Sequence, residues 1–467
     1  MDFLQLDTSA AEPLYRQIYT RFRSAIAEGT LQPGDRIPAA RALALELGLA
    51  RGTVESAYAL LTAEGYVEAR GQAGTVVTPA LARHAPVAPT PRRASTHDNL
   101  GEADSSTRPF QMGIPALDAF PRKVWARLAA RAVRATQPAD MIYPPWAGLP
   151  GLRIAIAAYL QLSRGIECTP SQVFITNGYR NSLELVTRAL LQPGDGVWVE
   201  DPGYPPTSAL LGDAGMRVAP VQVDGEGLMV SHGVATAPGA KAAIVTPAHQ
   251  SPLCVSLSLP RRLALLDWAA RAGAWIVEDD YDGEYRYVSR PLPALQSLDR
   301  DGRVLYSGTF SKVLFPAIRL AYLVVPPAQV ERFEHISRTF ATGGPTLMQS
   351  VVADFMNEGH FARHIQRMRR LYAERREFAA DGLSSVLGKY MQVEPQPGGM
   401  HLVLRMKGYH TDRALAARMR ENGMSALALS ERGVLPHIPS ALLLAFTNID
   451  TQARAQELGK RILKIMA

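Results

Sequence analysis

The segment Ser307–Leu320, SGTFSKVLFPAIRL, carries Lys312, one of only seven lysines among 50 basic residues. A lysine amine condenses with an aldehyde when its pKa is low enough to supply free base, and partial burial or nearby positive charge lowers it. A guanidinium stays charged and makes no such bond, so lysine is the residue an arginine-preferring chain keeps for this chemistry. Beside it stand Thr309 and Ser311, with Arg319 as a second cation.

Three other stretches offer groups that suit an aldehyde carrier. In FITNGYRNSLELV, Gly178, Tyr179 and Arg180 fall at a strand-to-helix junction, where open backbone amides hold an anion. AWIVEDDYDGEYRY ends a buried-strand pattern with Asp279 and Tyr281, a carboxylate and a phenol at the carboxyl end where α/β sheets place ligands. WVEDPGYPP ends another with Tyr204, fixed between Gly203 and Pro205 as a stacking ring. Together these are the parts that pyridoxal 5'-phosphate (PLP) requires. They are phosphate donors, an acid for the pyridine nitrogen, a phenol for the ring oxygen, a ring to stack on and an imine-forming lysine. No metal is called for.

The elements that must position these groups read as two or more domains, as 467 residues predict. Residues 13–28, PLYRQIYTRFRSAIAE, place Leu14, Ile18, Phe22, Ala25 and Ile26 on one helical face. Two short helices follow, ending at Gly48 and Gly65, and YVEARGQAGTVVTP reads as a β-hairpin. This order predicts a winged helix-turn-helix over residues 1–78. Residues 79–107, rich in Pro, Ala, Ser and Thr without apolar periodicity, predict a flexible linker. From 108 to 467, the runs VWVED, AAIVTP, AWIVEDD, RVLYSG and LAYLVVP alternate with helical segments, which predicts an α/β domain with a mostly parallel sheet. LLLAFTNI near the end predicts a smaller α+β subdomain.

Charge and hydropathy narrow the partners. The chain carries +7 overall, yet residues 1–80 hold seven arginines, nine carboxylates and no lysine, so any DNA contact there depends on where single arginines point. No window approaches eighteen uninterrupted apolar residues, the start lacks the features of an export signal, and Cys168 and Cys254 read as reduced thiols. The expectation is a cytoplasmic protein with no membrane segment.

PAARALALELGLARGTVESAYALLTAEGYVEARGQAGTVV resembles the GntR family, over residues 12–78. The family usually has serine where this chain has Ala39 and Ala50. The resemblance implies DNA contact by Arg41 and Arg51, with Thr53 at the start of the recognition helix and Gln72 at the wing tip. Residues 108–467 resemble fold-type I PLP enzymes of the aminotransferase kind in YPPWAGLPGLRIAIAAYL, TNGYRNSL, EDPGY, EDDYDGEYRY and GTFSKVLFPAIRLAYLV. That resemblance makes Lys312 the Schiff-base lysine, pairs Asp279 with the pyridine nitrogen and Tyr281 with the ring oxygen, and stacks Tyr204 on the ring. Thr309 and Arg319 then hold phosphate, and Tyr143 reaches the phosphate of a partner subunit in a homodimer. Both halves together resemble the MocR/GabR type of bacterial regulator.

Two departures bear on function. Where aminotransferases have Asn-Pro-x-Gly, this chain has AHQSPLCVSL, with Ser251 at the asparagine and Cys254 at the glycine. His249, Gln250 and Pro252 fit the regulator type, and His249 joins the expected cofactor residues. In ALALSERGVLPH, many relatives follow the serine with an arginine for a substrate carboxylate, whereas here Glu431 precedes Arg432. Either the loop shifts by one, leaving Arg432 to hold the effector, or an acidic Glu431 prefers an amine-rich ligand. The reading favoured is a PLP-dependent transcriptional regulator in which an amine or amino-acid effector displaces Lys312 from the cofactor and changes DNA binding, with at most residual half-transamination. The alternatives are an active aminotransferase with a DNA-binding head, and a regulator whose large domain has lost PLP.

Overall fold

The structure, a computed structural model, describes residues 4, 6–7, 12–71, 74–79, 107–287, 293–340, 343–394, 397–408, 411–436 and 438–466. The chain divides into two compact units, Met1–Ser105 and Ser106–Ala467. Apart from Pro79 and Thr107, the expected linker lies outside the described residues.

In the first unit, α1 (Leu14–Ala27), α2 (Ala40–Leu47) and α3 (Arg51–Ala63) precede an antiparallel hairpin of β1 (Val67–Ala69) and β2 (Thr75–Val77). Ile18 and Phe22 of α1 meet Leu43, Val54, Ala57 and Leu61 in one core. Burying each large side chain there contributes about 1.5–3 kcal/mol. Gly48 ends α2 at φ 66°, the left-handed conformation that permits the tight turn into α3.

The second unit is built on an eight-stranded sheet. Its strands are β3 (Val173–Thr176), β4 (Gly196–Asp201), β5 (Arg217–Asp224), β6 (Gly227–Leu228), β7 (Ala242–Val245), β8 (Trp275–Asp280), β9 (Val304–Thr309) and β10 (Ala321–Val324). They lie in the order β3-β10-β9-β8-β7-β4-β5-β6. The run from β9 through β8, β7 and β4 to β5 is parallel, while β10 is antiparallel to both β3 and β9 and β6 to β5. Helices α4 (Arg122–Ala135), α5 (Pro150–Arg164), α6 (Tyr179–Leu190), α7 (Pro205–Asp213), α8 (Val230–Thr236), α9 (Leu259–Ala272), α10 (Val330–Phe340) and α11 (Thr346–Asn357) accompany it. The five apolar runs are β4, β7, β8, β9 and β10, almost wholly buried, as a sheet covered on both faces requires.

After the long α12 (His360–Leu387), β11 (Met391–Glu394), β12 (His401–Met406), β13 (Leu427–Ala428) and β14 (Ala441–Ala445) form an antiparallel sheet in the order β11-β12-β14-β13. With α13 (Asp412–Glu421) and α14 (Gln452–Met466) it encloses a second core around Tyr372, Leu404, Leu444 and Phe446. No helix among the described residues is long and apolar enough to cross a membrane.

Candidate functional site

Several chemistry-bearing residues follow the carboxyl ends of parallel strands. In β8 successive side chains alternate between faces. Asp280 turns toward Arg164 (2.6 Å) and the Tyr306 hydroxyl (2.6 Å), and Glu278 accepts from the backbone amides of Leu295 and Gln296. Asp279, between them, faces a cavity of about 400 Å³. That cavity is also lined by Gly178, Tyr179, Arg180, Tyr204, Tyr281, Thr309, Ser311, Lys312, Arg319 and Arg432, so the structure gathers most of the expected site.

Lys312, just beyond β9, donates from Nζ to the Gly113 carbonyl at 3.0 Å. Burial pushes its amine below the usual lysine range, against the opposing pull of Asp282 and Asp279. Gly113 has φ 77°, which strains any other residue, and a Cβ there would stand 2.5 Å from Nζ and make the lysine's end shift. Asp279 is pushed well above the ordinary carboxylate range, first by burial and then by Asp280, Glu200 and Asp282. A cationic partner would reverse that, and a protonated pyridine nitrogen is one.

At the other end of the cavity, α6 opens directly after Gly178, whose φ is 102°. The Arg319 guanidinium lies against that glycine, 3.5 Å from where a Cβ would be. Arg319 itself adopts φ 49°, a left-handed conformation costing a non-glycine residue about 1–2 kcal/mol. An amide-lined helix start, Arg319, Thr309 and Ser311 form an anion cradle of the right chemistry for a phosphate. Tyr204, the residue before α7, is about half exposed at the cavity, its ring 6.2 Å from that of Tyr179. These features fit PLP.

Some expected residues lie elsewhere. His249 does not line the cavity; it sits behind it, with Nδ1 3.0 Å from the Tyr281 hydroxyl and 3.0 Å from Asp282 Oδ1. It reaches the cavity through Tyr281, which does line it. Tyr143 is 89% exposed and off the cavity of its own chain. Glu431 is exposed and off the cavity too, whereas Arg432 lines it. The loop is pinned so: Ser430 Oγ donates to Asp412 (2.7 Å), the Arg432 carbonyl accepts from Gly203, and the Asp201 carboxylate accepts from the Val434 and Leu435 amides (2.8 Å each). Of the two residues it is thus Arg432, one step further along the loop, that faces the cavity.

The sequence reading missed Met112, Gly113, Thr246, Asp282, Met400 and His401 of the lining. Asp282 had a signal, three residues past Asp279 in a carboxylate-rich stretch. His401 had none, because only the pairing of β12 with β14 carries that remote segment to the site.

In the first unit Arg41 and Arg51 are exposed in the first turns of α2 and α3, Thr53 is half-buried, and Gln72 lies outside the described residues. Ala39 and Ala50 precede those helices without side-chain caps, as expected from the missing serines. Arg51 Nε meets Glu55 at 2.8 Å, an exposed pair worth little that a DNA phosphate can replace.

Residues 14–77 match the family model of bacterial regulatory proteins of the gntR family, and residues 111–454 match aminotransferase class I and II. The chain is 36% identical to the probable rhizopine catabolism regulatory protein MocR of Rhizobium meliloti, over 96% of this chain and 92% of that one. It is 34% identical to the pyridoxine biosynthesis transcriptional regulator PdxR of Corynebacterium glutamicum, over 83% and 82%. Among solved structures it is similar to an archaeal alanine:glyoxylate aminotransferase (TM-score 0.71, 24% identity, 79% of this chain and 92% of that one). Another is the α-aminoadipate aminotransferase LysN of Thermus thermophilus (TM-score 0.67, 26% identity, 76% and 92%). The aminotransferase class I and II domain implies PLP as the cofactor. A DNA reader followed by this domain, matched along nearly the full length of a named regulator, places the chain in the MocR type of GntR-family transcriptional regulators.

Proposed function

We propose that the protein is a regulator whose DNA binding or transcriptional output is set by a small amine or amino acid competing with Lys312 for PLP. The observation that carries this reading is the partly buried Lys312 amine, pushed below the usual lysine range by desolvation, in one cavity with Asp279, Tyr281 and the Arg319–Gly178 cradle. When bound, PLP supplies an aldehyde carbon that a primary amine attacks. The chain does the rest. Gly178, Arg319, Thr309 and Ser311 hold the phosphate, Asp279 anchors the ring nitrogen, and Tyr204 covers the ring. Tyr281, backed by His249 and Asp282, holds a proton near the ring oxygen. Arg432 offers a bidentate donor to an effector carboxylate.

Ser251 at the position of the aminotransferase asparagine favours sensing over turnover. A homodimer would give Tyr143 a phosphate in the partner subunit to reach and would pair two DNA readers on two half-sites. The compartment proposed is the cytoplasm. The test is an absorbance titration of the PLP-loaded protein with a panel of amines, run beside binding to its own upstream DNA. One class of amine is expected to shift both the cofactor's absorbance and DNA affinity in wild type and neither in Lys312→Ala. Sustained multiple-turnover transfer to a keto acid would favour the enzyme instead.

A further inference from the structure

His249 follows β7 and is buried, its ring packed on Gly399 just before β12, where a Cβ would come 1.9 Å from Cε1. That contact keeps the ring from swinging, so its polar edge has a fixed set of partners. Nδ1 lies 3.0 Å from the Tyr281 hydroxyl and 3.0 and 3.1 Å from the two carboxylate oxygens of buried Asp282. A carboxylate only accepts, so the nitrogen that approaches both of its oxygens carries a proton. An Nδ1–H cannot accept, and the Tyr281 hydroxyl therefore only receives from it. Burial and then Asp282 push the phenol well above its ordinary value, so Tyr281 keeps its own hydrogen. His249 leaves that hydrogen to the cavity, which Tyr281 lines. Ser251, in the same lining, brings a hydroxyl where aminotransferases have an asparagine amide, which leaves more of the donation there to Tyr281.

We propose that His249, its Nδ1–H held by Asp282, is a positioning residue that directs the Tyr281 hydrogen into the cavity and so sets how firmly the cofactor-bound Lys312 nitrogen keeps its proton. This rests on the reading of the cavity as a PLP site. A hydrogen donated to the ring oxygen stabilises negative charge there and draws it away from the nitrogen, whose proton is then held less tightly. That proton opens the bonded carbon to attack by an amine, so its midpoint sets the pH range of sensing. A bare Nδ1 would instead draw the hydroxyl's hydrogen away from the cavity. Burial opposes a charge on His249, yet Asp282 and then Cys254 raise it well above the ordinary histidine value, which keeps Nδ1 protonated. The groups that bear on the device are few. His249 faces Asp282 and Cys254, with the His401 ring 6.1 Å away; Tyr281 faces Asp282, Cys254, Ser251 and Asp279; and Lys312 faces Asp282 and Asp279.

Two measurements test this. The first needs no cofactor: full-length protein carrying isotope-labelled histidine is compared with His249→Asn by nitrogen NMR. The signal lost in the variant should be that of a ring protonated at Nδ1 throughout neutral pH. A bare Nδ1 overturns the proposal, whether or not any further variant folds. The second follows the absorbance of the PLP-loaded protein against pH. Tyr281→Phe and His249→Leu should each raise the midpoint by about one pH unit, the tenfold expected of one hydrogen bond to a charged group. His249→Asn, whose amide can donate from the place of Nδ1, should stay near wild type. Adding His249→Leu to Tyr281→Phe should change nothing more, because the histidine acts through the hydroxyl. A shift that persists without the hydroxyl, or no shift in His249→Leu itself, overturns this role while leaving the amine-sensing reading in place. Wild type without any pH-dependent cofactor absorbance would instead remove the PLP reading, and this proposal with it.

Discussion

At the level of single residues, the site depends on two groups whose ionisation burial opposes. Lys312 has its amine depressed, so more free base is present at a given pH than in a solvated lysine. Uptake of PLP by the stripped protein should therefore rise with pH about a midpoint below the ordinary lysine value; a midpoint at or above it contradicts the burial argument. Asp279 is pushed the other way and regains its charge only opposite a cation. Asp279→Asn should lower PLP affinity by about tenfold or more, read from cofactor release on dilution, because it removes a charge-assisted bond. Both residues were legible in the sequence through type and strand-end position. Glu431 and Arg432 were not separable there, since their side chains differ by one step along a loop whose course depends on remote anchors at Asp201 and Asp412.

Among elements, the parallel strands announce themselves by continuous apolar runs, and the turn-to-helix junction at Gly178 by its anion-binding chemistry. β5 escaped because it is partly exposed, with Arg217 and Gln222 breaking the run. Gly113 escaped because its role is to leave space for a lysine 199 residues away. Gly113→Ala is expected to displace Lys312 and weaken PLP binding, with DNA affinity of the unliganded protein unchanged. The position of β8 also depends on Arg164, which is buried against Asp280 and Glu284. Arg164→Met leaves buried carboxylates unpaired and should cost about 3–5 kcal/mol in denaturant unfolding of the second unit. A cost under about 1 kcal/mol would show that the carboxylates find protons or water instead.

For the whole molecule, the first unit's modest charge makes individual arginines decisive. Arg51→Ala should weaken DNA binding and reduce the dependence of log affinity on log salt by about one unit if Arg51 meets a phosphate. An unchanged slope would assign Arg51 to its pair with Glu55 alone. The central claim is that the cavity around Lys312 and the DNA reader form one thermodynamic system. Coupling of this kind is reciprocal: an effector that changes DNA affinity by some factor must have its own affinity changed by the same factor on DNA. The most direct test measures both ratios on the full-length, PLP-loaded protein with its upstream DNA, using the amine that shifts the cofactor's absorbance. Equal ratios different from one in wild type, falling to one in Lys312→Ala, are predicted. Ratios of one in wild type, or the same coupling in Lys312→Ala, would contradict the account.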